Sequence, residues 1–393
     1  MIPGPYDWID EELTRLDQKT LRRRAREVVP ISGGQCEIDG KRLWNFSGND
    51  YLGLASHPTV IAAARSALES GVGARASALV SGRTNWHAAL ERKLAAFKKT
   101  EAAILFPTGF AANFGTIASC VGSADVVFCD RLNHASLIDG ARHSKAKLRI
   151  YPHRDFDFLH DELKKSASYR RKMIVTDSYF SMDGDVAPLK ELGELAESFN
   201  AMLLVDEAHA TGVFGPTGGG LLEEAQHNPD RVICVGTLSK ALGSQGGFVV
   251  GSKSLCDWLW NSARTGMFST GLSIPNCAGA FAAIDVIVSE PERREWLLRT
   301  STHVREQLRN MNWDVPKDVV GPIIPVMIGS ADQTLKLSRS LQDEGILVAG
   351  IRPPTVPRQS ARLRISISFD HGEEGIEALL AAFQRVRETQ KAI

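Results

Sequence analysis

The chain has 393 residues, 43% of them hydrophobic and 23% charged, which is typical of a globular protein with one large core and room for a second domain. Its 46 basic residues balance its 46 acidic residues, so the net charge gives no reason to expect binding to nucleic acid or to a membrane surface. The six cysteines include no Cys-x-x-Cys pair, which argues against a disulfide framework or a metal site and favours a reducing cytoplasm.

The first predicted elements are an amphipathic helix at 5–30 and a hairpin with its turn at Asp39-Gly40. The start of the chain shows no basic and apolar regions of a signal peptide, and no later apolar run approaches the ~20 residues that cross a membrane. Two further helices are predicted at about 58–70 and 86–99.

From residue 102 onward, apolar strand-like runs alternate with helical stretches such as 189–199. This alternation predicts βαβ units, and runs that are apolar on both faces predict a mostly parallel sheet covered by helices on both sides. The predicted strands of this sheet are 102–107, 125–130, 147–152, 172–177, 201–209, 231–236 and 246–251. We therefore predict an α/β fold.

After about residue 280 the alternation gives way to long helices and a few alternating strands, such as 361–369. We predict a smaller α+β domain at 281–393, a large domain at 46–280, and an N-terminal helix and hairpin segment at 1–45. Ligands of open α/β sheets bind at the carboxyl ends of the strands. The residues that follow each predicted strand are therefore the candidates for a functional site.

Small and polar residues follow five of the predicted strands. Each of them alone has an ordinary structural explanation, such as a strand–helix turn, a loop histidine or a solvated loop charge. Thr108 and Gly109 precede a helix whose N–H groups suit a phosphate, and Asp206 lies at a depth where an unpaired carboxylate needs a cationic partner. The other strand-end candidates are His134 with Ser136 as a helix cap, Ser181 with Asp183, and His209.

Lys240 lies just beyond a buried strand, in the stretch GTLSKALGSQGG at 236–247. A lysine in such a desolvated position can lose its proton and become a nucleophile, and we expect the four surrounding glycines to leave room for a ligand and a substrate. A solvated loop lysine is the alternative. A phosphate cradle, a histidine, a buried carboxylate and a nucleophilic lysine at one sheet edge form the set that holds pyridoxal phosphate.

Nine stretches, in order and over nearly the whole chain, resemble the α-oxoamine synthases, which are fold-type I pyridoxal-phosphate enzymes of the aspartate aminotransferase-like fold. The stretches are NFSGNDYLGL (45–54), SGRTNWHAALE (81–91), TGFAAN (108–113), NHASLIDG (133–140), SMDGDVAPL (181–189), VDEAHATGVFG (205–215), GTLSKALG (236–243), FSTGLSIP (268–275) and IRPPTVP (351–357). The resemblance implies a large domain that binds pyridoxal 5′-phosphate, a smaller α+β C-terminal domain and no metal.

The resemblance also implies a role for each candidate residue. Lys240 holds the cofactor as a Schiff base and moves the Cα proton, Asp206 pairs with the pyridinium nitrogen, and Arg364 binds the amino acid carboxylate. The alternative interpretation of Arg364 is an exposed charge on a strand. The alternative interpretation of Arg22 is a charge on the solvated face of a helix. The other implied contacts are His134 on the ring face and near the substrate, His209 and Ser181 near the phenolate oxygen, Gly109, Phe110 and Thr237 at the phosphate, Thr270 at the phosphate of the neighbouring subunit, Arg22 and Thr355 at the acyl substrate, and Asn49 as a further substrate contact.

The stretch IRPPTVP is most characteristic of the branch that joins L-alanine to a pimeloyl thioester with loss of CO₂, carried by coenzyme A or a carrier protein. The resemblance implies this reaction for a cytoplasmic homodimer without nucleic-acid or membrane partners. Other branches stay open: 5-aminolevulinate synthase, 2-amino-3-ketobutyrate ligase and serine palmitoyltransferase, which use glycine or serine. A non-catalytic partner subunit of the same fold is the alternative from a different class, and it is expected to lack Lys240.

The segment GVGARASALVSG at 71–82 departs from the family's glycine-rich GxGSGGSR pattern. Ala74, Arg75 and Ala76 stand where small residues or glycines are usual, and Ala78-Leu79 stand where an arginine is common. Because this segment lies near the active site and the subunit contact in the family, the departure bears on acyl-chain specificity more than on cofactor chemistry.

Overall fold

The structure is a computed structural model that describes residues 4–228 and 231–391. The parts of the predicted segments at residues 1–3, 229–230 and 392–393 lie outside the described residues. The chain forms two compact units. The larger unit runs from Asn49 to Ser181 and from Asp185 to Leu298, and the smaller unit contains the chain up to Gly48, residues 182–184 and the chain from Arg299.

Helices and strands alternate along most of the described chain. The helices are α1 (Asp7–Gln18), α2 (Pro58–Ala67), α3 (Asn85–Phe97), α4 (Gly109–Cys120), α5 (Ala135–His143), α6 (Phe156–Lys164), α7 (Leu189–Ser198), α8 (Leu221–Glu224), α9 (Lys253–Ser262), α10 (Arg264–Met267), α11 (Ile274–Ser289), α12 (Glu292–Asn310), α13 (Ala331–Asp343) and α14 (Gly372–Lys391). The strands are β1 (Val29–Ile31), β2 (Gln35–Ile38), β3 (Lys41–Asn45), β4 (Ala102–Phe106), β5 (Val126–Asp130), β6 (Lys147–Tyr151), β7 (Lys172–Asp177), β8 (Met202–Asp206), β9 (Val232–Thr237), β10 (Gly247–Gly251), β11 (Ile323–Gly329), β12 (Ile346–Leu347), β13 (Ala349–Ile351) and β14 (Ala361–Ser366).

The larger unit is built on a seven-stranded sheet with the strand order β4-β10-β9-β8-β7-β5-β6. Strands β5 to β9 run parallel, while β10 is antiparallel to both of its neighbours, β4 and β9. Every residue of β5 and of β9 is buried, as expected for strands covered on both faces. The predicted α/β fold with a mostly parallel sheet is confirmed.

The core of the larger unit joins this sheet to its helices. Strand residues such as Phe106, Val127 and Leu204 pack in one cluster with Ile117 of α4 and Leu137 of α5. All five side chains are fully buried, so each contributes on the order of 1.5–3 kcal/mol of hydrophobic stabilisation. This core holds the helices that follow β4 and β5 in fixed positions on the sheet.

The carboxyl ends of several strands meet at one edge of the sheet. Asp177 of β7 lies opposite Asp206 of β8 in parallel register. Gly247, which begins β10, lies opposite both Thr237 at the end of β9 and Phe106 at the end of β4. The residues that follow β4, β7, β8 and β9 are therefore brought to the same edge.

The smaller unit contains a four-stranded sheet, β1-β2-β3-β12, and a three-stranded sheet, β11-β14-β13. The predicted hairpin is confirmed, because Ile38 pairs with Lys41 across a turn in which Asp39 and Gly40 have φ angles of +51° and +74°. Strand β3 also pairs in parallel with β12. This long-range pairing places the N-terminal residues in the same unit as the C-terminal ones.

Two predicted boundaries differ from those in the structure. The helix predicted at 5–30 ends at Gln18, because Thr20 adopts a left-handed φ of +57° that an α-helix does not accommodate. The predicted domain boundary at 280/281 falls inside α11, which packs against α2 and α3, and the larger unit continues to Leu298.

The described residues include no helix with both the length and the apolarity to cross a membrane. All six cysteines are buried free thiols.

Candidate active site

The N-terminus of α4 forms an anion-binding corner. Thr108 caps the helix, and its hydroxyl accepts a hydrogen bond of 3.0 Å from the Ala111 amide. The amides of Gly109 and Phe110 belong to the first turn, where N–H groups have no partner within the helix. A Cβ added to Gly109 would lie 3.3 Å from Cβ of Thr237, so this turn lies against the end of β9. The corner has the donors and the helix dipole that favour a phosphate.

Lys240 lies in a tight loop between β9 and β10. The hydroxyl of Thr237 donates to the Gly246 carbonyl at 2.8 Å and accepts from the Ser239 amide at 3.1 Å. The Lys240 carbonyl accepts from the Gly243 amide at 2.8 Å, which closes the turn that carries the lysine. The loop therefore holds the half-buried Lys240 close behind the strand end, as the sequence predicts.

The expectation that the glycines around Lys240 leave room for a ligand is wrong. A Cβ on Gly247 would lie 2.3 Å from the Thr108 carbonyl oxygen, and one on Gly243 would lie 2.3 Å from the Ala55 amide nitrogen. The space beside Gly236 is filled by the ring of Phe248. These glycines let protein segments approach one another closely, which positions the lysine loop against its neighbours.

Asp206 ends β8 and is buried. Its Oδ2 accepts from Nδ2 of Asn113 at 2.6 Å, and its Oδ1 accepts from the Ala208 amide at 2.7 Å. These two donors fix the carboxylate at the sheet edge. Asn113 was not among the predicted site residues, although it lies one helical turn beyond Gly109 in the quoted stretch TGFAAN.

Asp177, also missed, is the neighbour of Asp206 on β7 and is buried as well. Its Oδ2 accepts from the backbone amide of His134 at 2.7 Å. Burial, and then the charge of Asp206, raise the pKa of Asp177 well above its ordinary value. Burial beside a second carboxylate at the adjacent strand end therefore disfavours the ionised form of Asp177.

His134 lies at the N-terminus of α5. It is itself the helix cap, so the expectation that Ser136 caps this helix is wrong. Nδ1 of His134 lies 2.7 Å from the Ser136 hydroxyl and accepts from the Ser136 amide at 3.3 Å. Desolvation of the ring lowers the pKa of His134, and Lys240 acts in the same direction against the charge of Asp206. The imidazole is therefore neutral at pH 7.

His209 is buried three residues after Asp206. Its Nδ1 lies 2.6 Å from the hydroxyl of Tyr51, which also lies 3.4 Å from Oδ1 of Asn49. Tyr179 packs edge-on against the same imidazole, with ring centroids 6.4 Å apart. The predicted residues Asn49 and His209 are therefore joined through a tyrosine that the sequence reading missed.

The remaining predicted residues of the larger unit are Ser181, Phe110 and Thr270. Ser181 lies in the segment that connects β7 to α7, and Phe110 is exposed in the first turn of α4. Thr270 is exposed and forms an isolated bridge with Ser77 of the atypical segment at 71–82.

Three predicted substrate residues, Arg22, Thr355 and Arg364, lie in the smaller unit. Arg22 pairs with Asp17 at 2.7 Å, whereas it is the neighbouring Arg23 that donates to the Thr355 hydroxyl at 3.1 Å. Arg364 lies in β14 and is buried, so the alternative of an exposed strand charge is wrong. It donates to the Ser366 hydroxyl at 2.9 Å.

A half-buried imidazole clamp, in which His153 lies between Asp130 at the end of β5 and Asp185, was also missed. His153 places Nδ1 3.0 Å from both oxygens of Asp130 and Nε2 2.7 Å from Asp185. Burial lowers the pKa of His153, but the two carboxylates outweigh it and raise that pKa to about 9. Because Asp185 ends the turn after Ser181, the clamp fixes one end of that turn. The histidine follows a predicted strand, but sequence alone does not show which carboxylates it meets.

Residues 41–383 match the model of the aminotransferase class I and II family. The 8-amino-7-oxononanoate synthase of Anaeromyxobacter dehalogenans (strain 2CP-1 / ATCC BAA-258) is 45% identical over 98% of this chain and 97% of that protein. The 8-amino-7-oxononanoate synthase 2 of Bacillus subtilis (strain 168) is 43% identical over 96% of this chain and 97% of that protein. The chain belongs to the 8-amino-7-oxononanoate synthase family.

Solved structures agree with this family. The serine palmitoyltransferase of Sphingomonas wittichii matches with a TM-score of 0.93 and 30% identity over 100% of both chains. The serine palmitoyltransferase of S. paucimobilis with bound PLP–myriocin aldimine matches with a TM-score of 0.92 and 31% identity, over 99% of this chain and 98% of that one. The 8-amino-7-oxononanoate synthase of Francisella tularensis matches with a TM-score of 0.76 and 26% identity, over 89% of this chain and 99% of that one.

The cofactor of this synthase family member is pyridoxal 5′-phosphate, and the residues at the sheet edge fit it. The α4 N-terminus offers amide donors to a phosphate, and the buried Asp206 offers an acceptor to a protonated ring nitrogen. Lys240 supplies an amine from the neighbouring loop. The donors and acceptors of this edge match the three polar ends of the cofactor.

Proposed function

We propose that the chain condenses L-alanine with a pimeloyl thioester to give 8-amino-7-oxononanoate, CO₂ and the free thiol carrier, a step of biotin biosynthesis. The observation that carries this proposal is the 43–46% identity, over nearly the full length, to proteins named 8-amino-7-oxononanoate synthase. The arrangement of Lys240, Asp206, His134 and His209 at one sheet edge supports it, because each has a role in this chemistry.

The cofactor, when bound, supplies an electron sink for the carbanion that forms at Cα of the amino acid. Asp206 accepts a hydrogen bond from the ring nitrogen and keeps it protonated, and Asn113 and the Ala208 amide hold that carboxylate in place. Nζ of Lys240 would hold the cofactor, and its amine would be the base that takes the Cα proton from alanine. The turn at Gly109 and Phe110, with Thr237, binds the phosphate.

The histidines position the reacting groups. His134 would lie against the face of the cofactor ring and donate a hydrogen bond to the substrate, and His209 and Ser181 would bind the phenolate oxygen. Arg364 holds the amino acid carboxylate until CO₂ leaves, and its burial strengthens that interaction. Arg22, Thr355 and Asn49 contact the acyl substrate.

We also propose that the protein is a homodimer in which Thr270 reaches the phosphate of the neighbouring subunit. Thr270 is exposed and is bridged to the segment at 71–82, which carries the exposed apolar side chains of Val72 and Val80. Exposed apolar groups around a predicted phosphate contact are expected at a subunit interface. A mass in solution near twice the 42.9 kDa of one chain tests this part.

Serine palmitoyltransferase is the second candidate, because solved structures with that name match with TM-scores of 0.92–0.93. Backbone similarity reports the shared fold, whereas substrate choice depends on side chains. The identity of 30–31% to those structures is well below the 45% to the synthase of Anaeromyxobacter dehalogenans. Side-chain similarity therefore favours alanine and a pimeloyl donor.

The test is an absorbance titration of the pyridoxal-phosphate-loaded protein with L-alanine, glycine and L-serine, followed by pimeloyl-CoA or a pimeloyl carrier protein. We expect alanine to saturate at the lowest concentration and the pimeloyl donor then to release free thiol. Saturation by glycine or serine with an inert pimeloyl donor would assign the chain to a sister branch. An unchanged spectrum with all three amino acids would favour the non-catalytic partner subunit.

The matched control is Lys240→Ala, which removes the amine and leaves the phosphate corner and Asp206 in place. We expect this variant to bind the cofactor without turnover. Normal turnover by Lys240→Ala would contradict the role proposed for this lysine.

A further inference from the structure

A chain of hydrogen bonds connects Asp206 to His134 through two buried side chains. Nδ2 of Asn113 donates to Oδ2 of Asp206 at 2.6 Å and to the hydroxyl of Ser136 at 2.9 Å. That hydroxyl lies 2.7 Å from Nδ1 of His134. Asn113 and Ser136 are both almost fully buried, so these bonds are shielded from competition with water.

We infer that Asn113 and Ser136 are positioning residues that fix His134 as the tautomer with its proton on Nε2, so that His134 is a hydrogen-bond donor to the substrate and not a proton acceptor. The assignment of the tautomer stands on the hydrogen bonds alone. Its catalytic consequence rests on the proposed function.

The direction of the chain follows from Asp206. A carboxylate has only acceptors, so the group of Asn113 that lies 2.6 Å from it must be the amide NH₂. A flipped amide would place two oxygens at that distance. Oδ1 of Asn113 is buried and, among the described residues, has no hydrogen-bond partner. In this orientation the Asn113 oxygen lacks a hydrogen bond within the described part of the chain, while its NH₂ group donates two. The two donated bonds therefore fix the orientation of the amide, although a buried acceptor without a partner costs free energy.

The same logic continues to the imidazole. The second N–H of Asn113 occupies an acceptor position of the Ser136 oxygen, so the Ser136 proton points away from Asn113 and towards Nδ1 of His134. The Ser136 amide also points at this nitrogen, from 3.3 Å. Nδ1 therefore accepts from two donors and carries no proton, which leaves the proton of the neutral ring on Nε2.

The charges around His134 agree with a neutral ring. Asp206 and Asp139 favour its protonation, while desolvation and Lys240 oppose it and prevail, so the pKa of His134 is lowered. A neutral Nε2–H can donate to a carboxylate or thioester oxygen of the substrate. It cannot compete with Lys240 for the Cα proton, because its acceptor nitrogen is already occupied by Ser136.

The test is ¹H–¹⁵N NMR of the full-length, cofactor-loaded protein labelled with ¹⁵N-histidine. The signals of His134 are assigned as those missing from His134→Gln. We expect the cross-peak pattern of a neutral Nε2–H imidazole between pH 7 and pH 8. An Nδ1–H pattern, or a ring that is protonated at pH 7, would overturn the inference.

The variant Ser136→Ala removes the hydroxyl, and Ser136→Thr keeps it. Ser144→Ala is the matched control, because Ser144 is buried at the other end of α5, where its hydroxyl donates to the Ala141 carbonyl and accepts from the Ala146 amide. In Ser136→Ala we expect a mixture of tautomers and a kcat lowered roughly 10-fold, with KM for alanine changed less than about 3-fold. Ser136→Thr should restore the wild-type tautomer, and Ser144→Ala should keep it. An unchanged tautomer in Ser136→Ala would contradict the relay.

The experiments distinguish failure of the proposed function from failure of the hydrogen-bond relay to His134. The NMR pattern does not depend on which amino acid or acyl donor the enzyme accepts, so an inert pimeloyl donor with an Nε2–H pattern would refute the function and leave the relay. Normal condensation with a protonated Nδ1 would refute the relay and leave the function.

Discussion

The hydroxyl of Tyr51 lies 2.6 Å from Nδ1 of His209, although the two residues are 158 positions apart in the sequence. Both side chains are buried, so this bond exchanges little with water. It ties the segment before α2 to the turn after β8. His209 is therefore held by a partner outside its own strand end, and its orientation depends on Tyr51.

Replacing Tyr51 with phenylalanine should loosen His209 without emptying the core. The ring is kept, but Nδ1 of His209 loses this partner, which costs about 1–2 kcal/mol and corresponds to roughly a 10-fold loss in turnover. Steady-state condensation kinetics and the cofactor absorbance band measure the effect. Tyr169→Phe, in the segment before β7, is the control and should leave both unchanged. Equal kinetics for the two variants would argue against a role for the Tyr51 hydroxyl.

Asp177→Asn should make the protein less sensitive to alkaline pH. The pKa of Asp177 is raised by burial and by Asp206, so its proton stabilises the fold below the unfolded pKa near 3.8, and this contribution falls as pH rises towards the folded pKa. Asparagine keeps an acceptor for the His134 amide and cannot ionise. In urea unfolding at pH 5 and pH 8, we expect the variant to gain stability relative to wild type at the higher pH.

Asp125→Asn is the contrasting variant, because the pKa of Asp125 is lowered whereas that of Asp177 is raised. A hydrogen bond from Arg170 lowers the pKa of Asp125, so its stabilisation is present above pH 3.8 and is lost in acid. We expect Asp125→Asn to lose stability relative to wild type at pH 8 as well as at pH 5. The same pH response in both variants would mean that Asp177 is ionised throughout this range.

The imidazole clamp predicts a stability that declines in alkali. The pKa of His153 rises from 6.5 to about 9 in the folded state, so its charge stabilises the fold fully below pH 6.5, and this stabilisation disappears as pH passes 9. The imidazole of His153 faces the carboxylates of Asp130 and Asp185. Arg154 contacts both of these carboxylates, and Asp177 lies near Asp130. We expect the stability difference between wild type and His153→Gln, measured by urea unfolding, to be larger at pH 6.5 than at pH 10.

The matched control for the clamp is His160→Gln. His160 is partly exposed on α6, packs edge-on against Phe199, and lies 3.5 Å from the exposed Asp161, a pair worth little in water. This substitution should change stability by less than about 0.5 kcal/mol at both pH values. A difference for His153→Gln that is the same at pH 6.5 and pH 10 would show that its imidazole is not the titrating group.

The sequence predicts the large sheet well because its strands are buried on both faces and bounded by turns. Six of its seven strands agree with the prediction within one residue at each end. The exception is the strand predicted at 201–209, which ends at Asp206 in the structure. The N-terminal helix is too long in the prediction, because its charged, solvated face gives no signal at Thr20. The pairing of β3 with β12 joins residues about 300 positions apart, and no local pattern carries such information.

The residues expected just after strands, such as Gly109, His134 and Lys240, do follow the ends of β4, β5 and β9. What the sequence does not show is the layer that supports them: Asn113 beneath Asp206, Tyr51 beside His209 and Asp177 beneath His134. Each of these lies within a segment or strand that was recognised, but the atoms it meets come from a different element. Such contacts depend on side-chain direction across the sheet edge, which the spacing within one segment does not determine.

Gly247→Ala should weaken cofactor binding even though Gly247 belongs to no predicted contact. A Cβ there would lie 2.3 Å from the Thr108 carbonyl oxygen and 2.6 Å from the Gly109 amide nitrogen, so the backbone of the phosphate corner must move. Because backbone amides bind the phosphate, we expect the dissociation constant of pyridoxal phosphate, measured by absorbance after dialysis, to rise at least about 10-fold. Gly122→Ala, with open space around the new methyl group, should bind the cofactor as wild type does. Wild-type affinity in Gly247→Ala would show that the phosphate does not depend on this turn.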